Sequence, residues 1–200
     1  MTKKALFIDP GRCIGCQACV AACRECDSHP GKSMIHLDYP DPGNSAAASP
    51  TVCMHCSDPV APCAQVCPTD AIPIDDHGVV GSASEELCIA CGNCVHACPF
   101  GVPKLDLVEM LQSKCDMCCD RTSQGKMPMC ASVCPTDALF FGTEAELMQK
   151  RPSVQAVDVF GFGDETVQTR NAMVAPAGKD LDRIPGGYSA RSAQDPDPEK

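Results

Sequence analysis

Cysteine is the residue type that dominates the chemistry open to this chain. Sixteen of its 18 cysteines fall into four groups of four, and three of the groups end in Cys-Pro. The first and third groups share the spacing Cys-x2-Cys-x2-Cys-x3-Cys, whereas the second and fourth have wider middle gaps. In chain order the groups are Cys13, Cys16, Cys19 and Cys23; Cys53, Cys56, Cys63 and Cys67; Cys88, Cys91, Cys94 and Cys98; and Cys115, Cys118, Cys130 and Cys134. Such dense thiol sites can hold metal ions, metal clusters or disulfides.

The spacing favours iron-sulfur clusters among these three. Three thiolates at i, i+3 and i+6 suit a cube that needs several corners held at once, and in the bacterial ferredoxin run the fourth cysteine ligates a different cluster. Zinc sites instead pair one Cys-x2-Cys knuckle with a distant second knuckle, and zinc stays the alternative. Disulfide frameworks belong to secreted chains, and residues 1–9 show no secretory signal pattern. The pattern predicts four [4Fe-4S] clusters and hence electron transfer.

The composition predicts a thin hydrophobic core and excludes some partners. Among 200 residues there are no Trp, two Tyr and six Phe, so large aromatic side chains contribute little burial. We therefore expect the clusters to act as cross-links. The formal net charge of -10 argues against a nucleic-acid partner, which requires a basic surface. No apolar run reaches the roughly 18 residues of a membrane helix, so the sequence predicts a soluble chain with no membrane span of its own.

Short strands and helices are predicted around the cysteine groups. An apolar strand covers residues 5–8, and a helical turn over 20–23 closes the first group. Residues 71–80 carry a hairpin signal with a turn at Asp75 to Gly78, and an apolar strand covers 138–142. Thr143-x-x-Glu146 is a capping box, which predicts a helix from there to about Lys150. These elements must position the cysteines.

The chain divides into two regions by ligand content. Residues 1–150 contain every cysteine and form the predicted four-cluster region. Residues 151–200 form a C-terminal extension that is expected to be partly irregular and to wrap a surface, because 154–185 has no clear hydrophobic period. Its last residues, 191–200, are expected to be disordered or bound to a partner. The polar stretch 39–50 is predicted to be a surface loop.

Four sequence fragments occur in a characteristic order. They are Phe7-Ile8-Asp9 before the first group, Cys53-Met54-His55-Cys56 opening the second, Cys98-Pro99-Phe100-Gly101 ending the third, and Lys114-Cys115-Asp116-x-Cys118 opening the fourth. Together, over about residues 4–150, they resemble the four-cluster iron-sulfur subunit of the dimethyl sulfoxide reductase family of molybdopterin oxidoreductases. The resemblance implies an α+β fold of two ferredoxin-like, bacterial dicluster halves, with short strands and helices around the clusters.

The resemblance also implies how the cysteines are shared. In the family the first group pairs with the fourth and the second with the third, so that the last cysteine of each group crosses to a neighbouring cluster. Carried over, the four ligand sets are Cys13, Cys16, Cys19 and Cys134 for cluster one; Cys23, Cys115, Cys118 and Cys130 for cluster two; Cys53, Cys56, Cys63 and Cys98 for cluster three; and Cys67, Cys88, Cys91 and Cys94 for cluster four. Since every group keeps four cysteines, no three-iron cluster is predicted.

One spacing departs from the family. Six residues separate Cys56 from Cys63, where the family usually has four, so we expect the loop between them to bulge. Cys63 is still assigned as a ligand, because Cys63-x3-Cys67-Pro68 preserves the downstream half of the pattern.

Several residues near the groups are predicted not to bind iron. Cys26 and Cys119 are interpreted as small buried hydrophobes, with Cys26 as the alternative to Cys23. His55 and His96 are expected to form hydrogen bonds or pack, because four thiolates per cluster are already available. Two interpretations stay open for four cationic side chains, which are Lys104, Lys114, Arg121 and Lys126. They could tune the reduction potentials of the clusters, or they could lie on a solvated or partner-facing surface.

The function implied is that of a non-catalytic electron-transfer subunit of an oxidoreductase complex. It would relay single electrons between a large molybdopterin catalytic subunit and a further electron donor or acceptor, such as a membrane anchor, a cytochrome or another carrier. The alternatives are an iron-sulfur subunit of a hydrogenase or formate-hydrogen complex and a zinc-stabilised interaction module. We expect the chain in the cytoplasm, or in the periplasm after co-export with a signal-bearing catalytic partner, with membrane association through a partner left open.

Overall fold

The structure is a computed structural model that describes residues 4–39, 48–162 and 164–178. In this part of the chain, short α-helices and strands are interspersed. The helices are α1 (Ala18–Cys23), α2 (Pro62–Gln65), α3 (Asn93–Ala97), α4 (Cys119–Thr122), α5 (Met129–Ser132) and α6 (Glu144–Lys150). The strands are β1 (Ala5–Ile8), β2 (His36–Asp38), β3 (Ser49–Thr51), β4 (Cys56–Asp58), β5 (Lys104–Asp106), β6 (Leu111–Ser113), β7 (Leu139–Gly142), β8 (Val154–Phe162) and β9 (Glu165–Pro176). The mixed α and β content agrees with the predicted class.

A five-stranded sheet holds the two ends of the cysteine region together. Its order is β4-β9-β1-β7, and β8 pairs with β9. Strand β1 is antiparallel to β7, with Ile8 opposite Leu139, and parallel to β9. All four residues of β1 are buried, because alternate side chains enter two different hydrophobic clusters. The sheet therefore places the chain entering the first cysteine group beside the chain leaving the fourth.

The C-terminal extension is more regular than predicted. Over 154–176 the expectation of an irregular path is wrong, since β8 and β9 form a long antiparallel hairpin. The hydrophobic period was absent because residues 171–175 are all buried, with Met173 and Ala175 in one hydrophobic cluster and Ala172 and Val174 in another. Phe160 on β8 is fully buried and packs edge-on against Phe100, with ring centroids 5.3 Å apart. Residues 179–200, including the predicted disordered tail, lie outside the described residues.

The predicted surface loop over 39–50 also needs correction at its end. Ala48, Ser49 and Pro50 are buried, and β3 pairs with β2 through His36 opposite Thr51. Apolar contacts draw this end of the loop inward, because Val52 and Cys53 of the main core follow it directly. Residues 40–47 lie outside the described part.

Most of the other local predictions hold. Strands occupy Ala5–Ile8 and Leu139–Gly142, and the predicted helical turn over 20–23 is the end of α1. The capping box is present in full, with the Thr143 hydroxyl accepting from Glu146 N at 3.2 Å, and it begins α6. The hairpin predicted over 71–80 is reduced to a single antiparallel bridge between Ile74 and Val80. Within the described residues, no helix is long and apolar enough to cross a bilayer.

Candidate iron-sulfur sites

The backbone turns in the same way inside each cysteine group. The residue two positions after the first cysteine is in the left-handed region in all four groups. These residues are Gly15 (φ 68°), His55 (φ 51°), Ala90 (φ 54°) and Met117 (φ 59°). The left-handed conformation is unfavourable for residues other than glycine, and residues that adopt it are concentrated at functional sites. Each group therefore has a left-handed residue at the same position between its first two cysteines.

Backbone amides donate to several of the grouped sulfurs. Met34 N lies 3.2 Å from Cys23 Sγ, Ala71 N lies 3.3 Å from Cys67 Sγ, and Met117 N lies 3.3 Å from Cys115 Sγ. Hydrogen bonds of this kind stabilise a thiolate relative to a thiol. The backbone therefore supplies hydrogen-bond donors to these sulfurs, although apolar side chains surround them.

The first and fourth groups lie together. Helix α1 packs against α5, so the two groups face one another. Burial raises the pKa of Cys19 to about 11, and the nearby sulfurs of Cys13, Cys134 and Cys16 add to the rise. Burial likewise raises the pKa of Cys130 to about 12, with contributions from Cys23 and then Cys19. Each of the two groups thus sends a cysteine into the neighbourhood of the other.

The second and third groups lie together in the same manner. Helix α2 packs against α3, and Cys63 and Cys94 belong to one hydrophobic cluster. Burial raises the pKa of Cys56 to about 12, and the neighbouring sulfurs that add to it are Cys53, Cys98 and Cys63. A separate cavity is lined by cysteines of both groups, namely Cys67, Cys88, Cys91 and Cys94. Two sulfur-lined spaces therefore lie side by side.

Cys115 and Cys53 connect the two pairs of groups. Burial raises the pKa of Cys115 well above its usual value, and the sulfurs of Cys130 and then Cys53 add to that effect. Cys115 opens the fourth group and Cys53 opens the second. Both side chains belong to the largest hydrophobic cluster, so the junction between the pairs is part of the core.

The longer spacing in the second group is accommodated by a strand and a turn. Residues Cys56–Asp58 pair with β9 as β4, with a register shift between the two ends of the strand. Ala61 N then donates back to Cys56 O at 3.2 Å, and α2 begins at Pro62. The turn returns the chain so that Cys63 is buried near Cys53.

The two cysteines outside the groups have different environments. Cys26 is buried, and its Sγ lies 3.4 Å from Asp120 Oδ1. Burial raises the pKa of Cys118, and a hydrogen bond with the Cys26 thiol adds to the rise. Cys119 is exposed, against the prediction of a buried residue, and its Sγ donates to Asp116 Oδ2 at 3.2 Å. Its position as the first residue of α4 turns it toward solvent while Cys118 turns inward.

Several buried polar residues were missed or misread in the sequence. Lys114 is only 1% exposed, so the reading of this cation as part of a solvated face is wrong. His55 is fully buried and its Nδ1 accepts from Val80 N at 3.0 Å, which confirms its hydrogen-bonding role, whereas His96 is exposed. Gln112 in β6 and Lys114 directly after that strand are two positions apart, a spacing that places both side chains on the same face of an extended chain.

Asn171 is a further missed residue that joins the sheet to the second group. Its Oδ1 accepts from Leu6 N at 2.9 Å, and its Nδ2 donates to Cys53 O at 2.8 Å. It is fully buried between two strands and the loop that carries Cys53. Asn171 follows Gln168, Thr169 and Arg170 in the sequence, so nothing in this polar run indicated that it is buried.

The donor set fits [4Fe-4S] clusters. Among the residues that the structure describes, no three His, Cys, Asp or Glu side chains converge tightly enough to hold one metal ion. A cube instead binds each thiolate at a different corner, so its ligands surround a larger volume. The cavity lined by four cysteines also contains Gln112, whose buried Nε2 has no hydrogen-bond acceptor in the described protein. A group bearing sulfur acceptors would satisfy that donor.

The comparisons with known proteins give the same cofactor. A 4Fe-4S dicluster domain matches residues 45–144, and a 4Fe-4S binding domain matches residues 4–25. The chain is 42% identical over 142 residues to the thiosulfate reductase electron transfer subunit of Salmonella typhi. The aligned region covers 67% of this chain and 72% of the relative.

Two further relatives come from Escherichia coli (strain K12). The first is a subunit of the anaerobic dimethyl sulfoxide reductase, 34% identical over 169 residues, covering 78% of this chain and 81% of the relative. The second is the iron-sulfur subunit of the nitrate-inducible formate dehydrogenase, 36% identical over 167 residues, covering 72% of this chain and 56% of the relative. With its four groups of four cysteines, this chain belongs to the family of [4Fe-4S] electron-transfer subunits of molybdopterin oxidoreductases and carries four such clusters.

Proposed function

We propose that this chain forms a linear relay of four [4Fe-4S] clusters between a molybdopterin-dependent catalytic subunit and a second redox carrier. The relatives are named for thiosulfate, formate and dimethyl sulfoxide, so the relay is the property they share. The observation that carries the path in this chain is the approach of Cys115 to Cys53, which links the two pairs of cysteine groups. When bound, a [4Fe-4S] cluster accepts or releases one electron. The protein's task is to hold the clusters in a row.

The proposed ligand sets follow the sulfur neighbourhoods. Cys134 lies near Cys19, and Cys23 lies near Cys130, which supports an exchange of ligands between the first and fourth groups. Cys98 lies near Cys56, which supports the same exchange between the second and third groups. The sets are Cys13, Cys16, Cys19 and Cys134; Cys23, Cys115, Cys118 and Cys130; Cys53, Cys56, Cys63 and Cys98; and Cys67, Cys88, Cys91 and Cys94. They define clusters one to four.

This assignment gives the relay an order. Shared chain segments join cluster one to cluster two and cluster three to cluster four, and the Cys115 and Cys53 junction joins two to three. In the outer sets, Cys16 and Cys91 are exposed. Electrons would enter and leave near these residues, because the path from a docked carrier to a cluster is shortest where a ligand reaches the surface. Residues 1–150 supply all ligands, and β8 and β9 from the extension support them.

Cluster insertion is coupled to deprotonation of the cysteine thiols. Burial raises the pKa of Cys56 and Cys130 to about 12, so both are thiols in the iron-free chain at neutral pH. Iron binds the thiolate, and cluster insertion must therefore release protons. The backbone N–H donors to Cys23, Cys67 and Cys115 lower the cost of that deprotonation.

Metal analysis tests the cofactor content. Protein purified anaerobically should be brown and should carry about 16 iron and about 16 sulfide per chain, as four cubes require. Zinc at about two to four per chain without sulfide is the result expected of a zinc-stabilised module and would refute the relay.

The partners are tested by an anaerobic pull-down of the full chain. We expect a large subunit that contains molybdopterin, together with a membrane anchor, a cytochrome or another carrier. Recovery of a hydrogenase large subunit would instead support the hydrogenase complex. Fractionating the cells before the pull-down distinguishes a cytoplasmic complex from one that has been exported with a signal-bearing partner.

A further inference from the structure

Lys114 is a buried cation at the junction between the two pairs of cysteine groups. It directly follows β6 and precedes Cys115, and its side chain is 1% exposed. Its Nζ donates to the backbone carbonyl of Val80 and, at 3.3 Å, to the carbonyl of Cys115. Its backbone is fixed as well, because Lys114 N donates to Ser82 Oγ at 3.1 Å and Ser82 Oγ donates to Lys114 O at 2.8 Å. The ammonium therefore has a defined position.

No acidic side chain neutralises this ammonium in the described part of the chain. The ion pairs there involve Lys32, Arg151 and two histidines, and none includes Lys114. A buried charge without a counter-charge is strongly unfavourable, and two neutral carbonyls do not replace one. We therefore expect an anion close to the Lys114 ammonium in the cluster-loaded protein. An oxidised cube with four thiolates carries about -2 and meets that requirement.

The neighbours of Lys114 identify which cube this is. One carbonyl that accepts from the Lys114 ammonium belongs to Val80, and Val80 and Cys63 lie in the same buried hydrophobic cluster. Val80 N also donates to Nδ1 of His55 at 3.0 Å, and His55 lies between Cys53 and Cys56 in the sequence. The charge thus acts on the second group, whose first three cysteines belong to the proposed set for cluster three.

We propose that Lys114 is a positioning residue whose ammonium stabilises the reduced form of cluster three and thereby raises its reduction potential. The inference rests on the ligand set given above under the proposed function. Addition of one electron takes a cube with four thiolates from about -2 to about -3, so a fixed cation stabilises the reduced state more than the oxidised state. Its position beside Cys115 places the same charge next to cluster two, where the electron crosses between the pairs of groups.

Lys104 provides a matched control on the same hairpin. It begins β5, pairs with Ser113 at the end of β6, and has an exposed side chain. Its charge equals that of Lys114, but solvent and salt screen it. Lys104→Gln therefore makes the same formal charge change opposite Ser113, the residue before Lys114, without removing a buried cation.

The test is a redox titration of the purified complex, followed by electron paramagnetic resonance. Cluster three is identified as the signal that Cys63→Ser alters. In Lys114→Gln, the ratio of reduced to oxidised cluster three at the wild-type midpoint should fall about tenfold, which is about 59 mV for a one-electron couple. Lys104→Gln should change that ratio less than twofold.

The outcomes separate this inference from the proposed function. Four assembled clusters with unchanged midpoints in Lys114→Gln overturn the role of Lys114 and leave the relay intact. A wild-type protein without four clusters refutes the relay itself. If Lys114→Gln loses a cluster, Lys114→Arg decides: recovery of the iron supports a requirement for charge, and equal loss in both variants assigns Lys114 a packing role and overturns the proposal.

Discussion

His29 places its imidazole Nε2 3.2 Å from the Sγ of Cys23. The other ring nitrogen, Nδ1, lies 2.9 Å from Ser28 Oγ, so both nitrogens are engaged. Cys23 Sγ also accepts from Met34 N at 3.2 Å. The Cys23 side chain is therefore oriented by two contacts, one with an imidazole and one with a backbone N–H.

Replacing His29 with Leu should lower the reduction potential of cluster two. Donors to a ligand sulfur stabilise the reduced cluster, so losing the imidazole favours the oxidised form. We expect a shift to more negative potential with the iron content unchanged, measured by redox titration with paramagnetic resonance. His96→Leu removes an exposed histidine inside the third group and should shift nothing. A midpoint equal to that of the wild type in His29→Leu would show that the contact does not act on the cluster.

Serine substitutions test which cysteines share a cube. Cys23→Ser should perturb the cluster held by Cys115, Cys118 and Cys130, because a hydroxyl differs from a thiolate in charge and softness. The affected cluster should shift its potential, lose an iron or fail to assemble. Spectra of isotope-labelled cysteine variants identify the cluster that changes.

Two further variants complete this test. Cys134→Ser should perturb the other cluster of the same pair, held by Cys13, Cys16 and Cys19. Cys26→Ser should leave all four clusters assembled, since its sulfur contacts Asp120 and the hydroxyl of Ser28 rather than occupying a place in the spacing. Loss of a cluster in Cys26→Ser, with all four retained in Cys23→Ser, would reverse the assignment at the end of the first group.

The local elements could be predicted because they depend on nearby residues. The apolar run at Ala5 to Ile8 forms its strand, and the capping box at Thr143 begins its helix because both partners lie within one turn. The spacing of the cysteines likewise indicated the clusters, since three of the four proposed ligands of each cluster come from one group. These signals need no knowledge of distant contacts.

The features that depend on long-range packing could not be predicted in this way. Strand β9 has buried residues on both faces, so its sequence lacks the alternation that identifies a strand with one buried face. Lys114 resembles any surface lysine until Val80 and Ser82, more than 30 positions away in sequence, are placed beside it. Asn171 has the same character, because its partners at Leu6 and Cys53 come from distant parts of the chain.

Truncation should separate the hairpin of the extension from the tail. A chain ending at Gly187 should keep its full iron content, because no cysteine lies beyond Cys134 and β9 ends at Pro176. A chain ending at Arg151 lacks β8 and β9, which exposes β1 and removes the Asn171 hydrogen bond to Cys53. We expect that chain to lose clusters or to precipitate. Iron and sulfide analysis of both chains checks this, and full iron in the shorter one would contradict it.

A buried ion pair closes the junction between β1, the end of the fourth group and α6. Arg151 Nη1 donates to Asp9 Oδ2 at 3.0 Å, and Arg151 Nη2 donates to Asp137 O at 2.6 Å. Both side chains are largely shielded, with exposures of 9% for Arg151 and 12% for Asp9. Asp9 N also donates to Ala138 O at 2.7 Å, so the carboxylate is held on the strand that enters the first cysteine group.

Arg151→Met should destabilise the protein by about 3–5 kcal/mol, because removing one partner leaves the Asp9 charge buried without compensation. Since unfolding with cluster loss is irreversible, the measurement is the rate of iron release in guanidinium, where about 1.4 kcal/mol corresponds to a tenfold change if unfolding limits the rate. The double variant Arg151→Met with Asp9→Asn should be destabilised by less than the summed destabilisations of the two single variants, and it should release iron correspondingly more slowly. The reason is that the second substitution removes the Asp9 charge that Arg151→Met leaves unpaired. Arg24→Met, at an exposed arginine after α1, should match the wild type. Equal rates for Arg151→Met and Arg24→Met would show that the pair contributes nothing to stability.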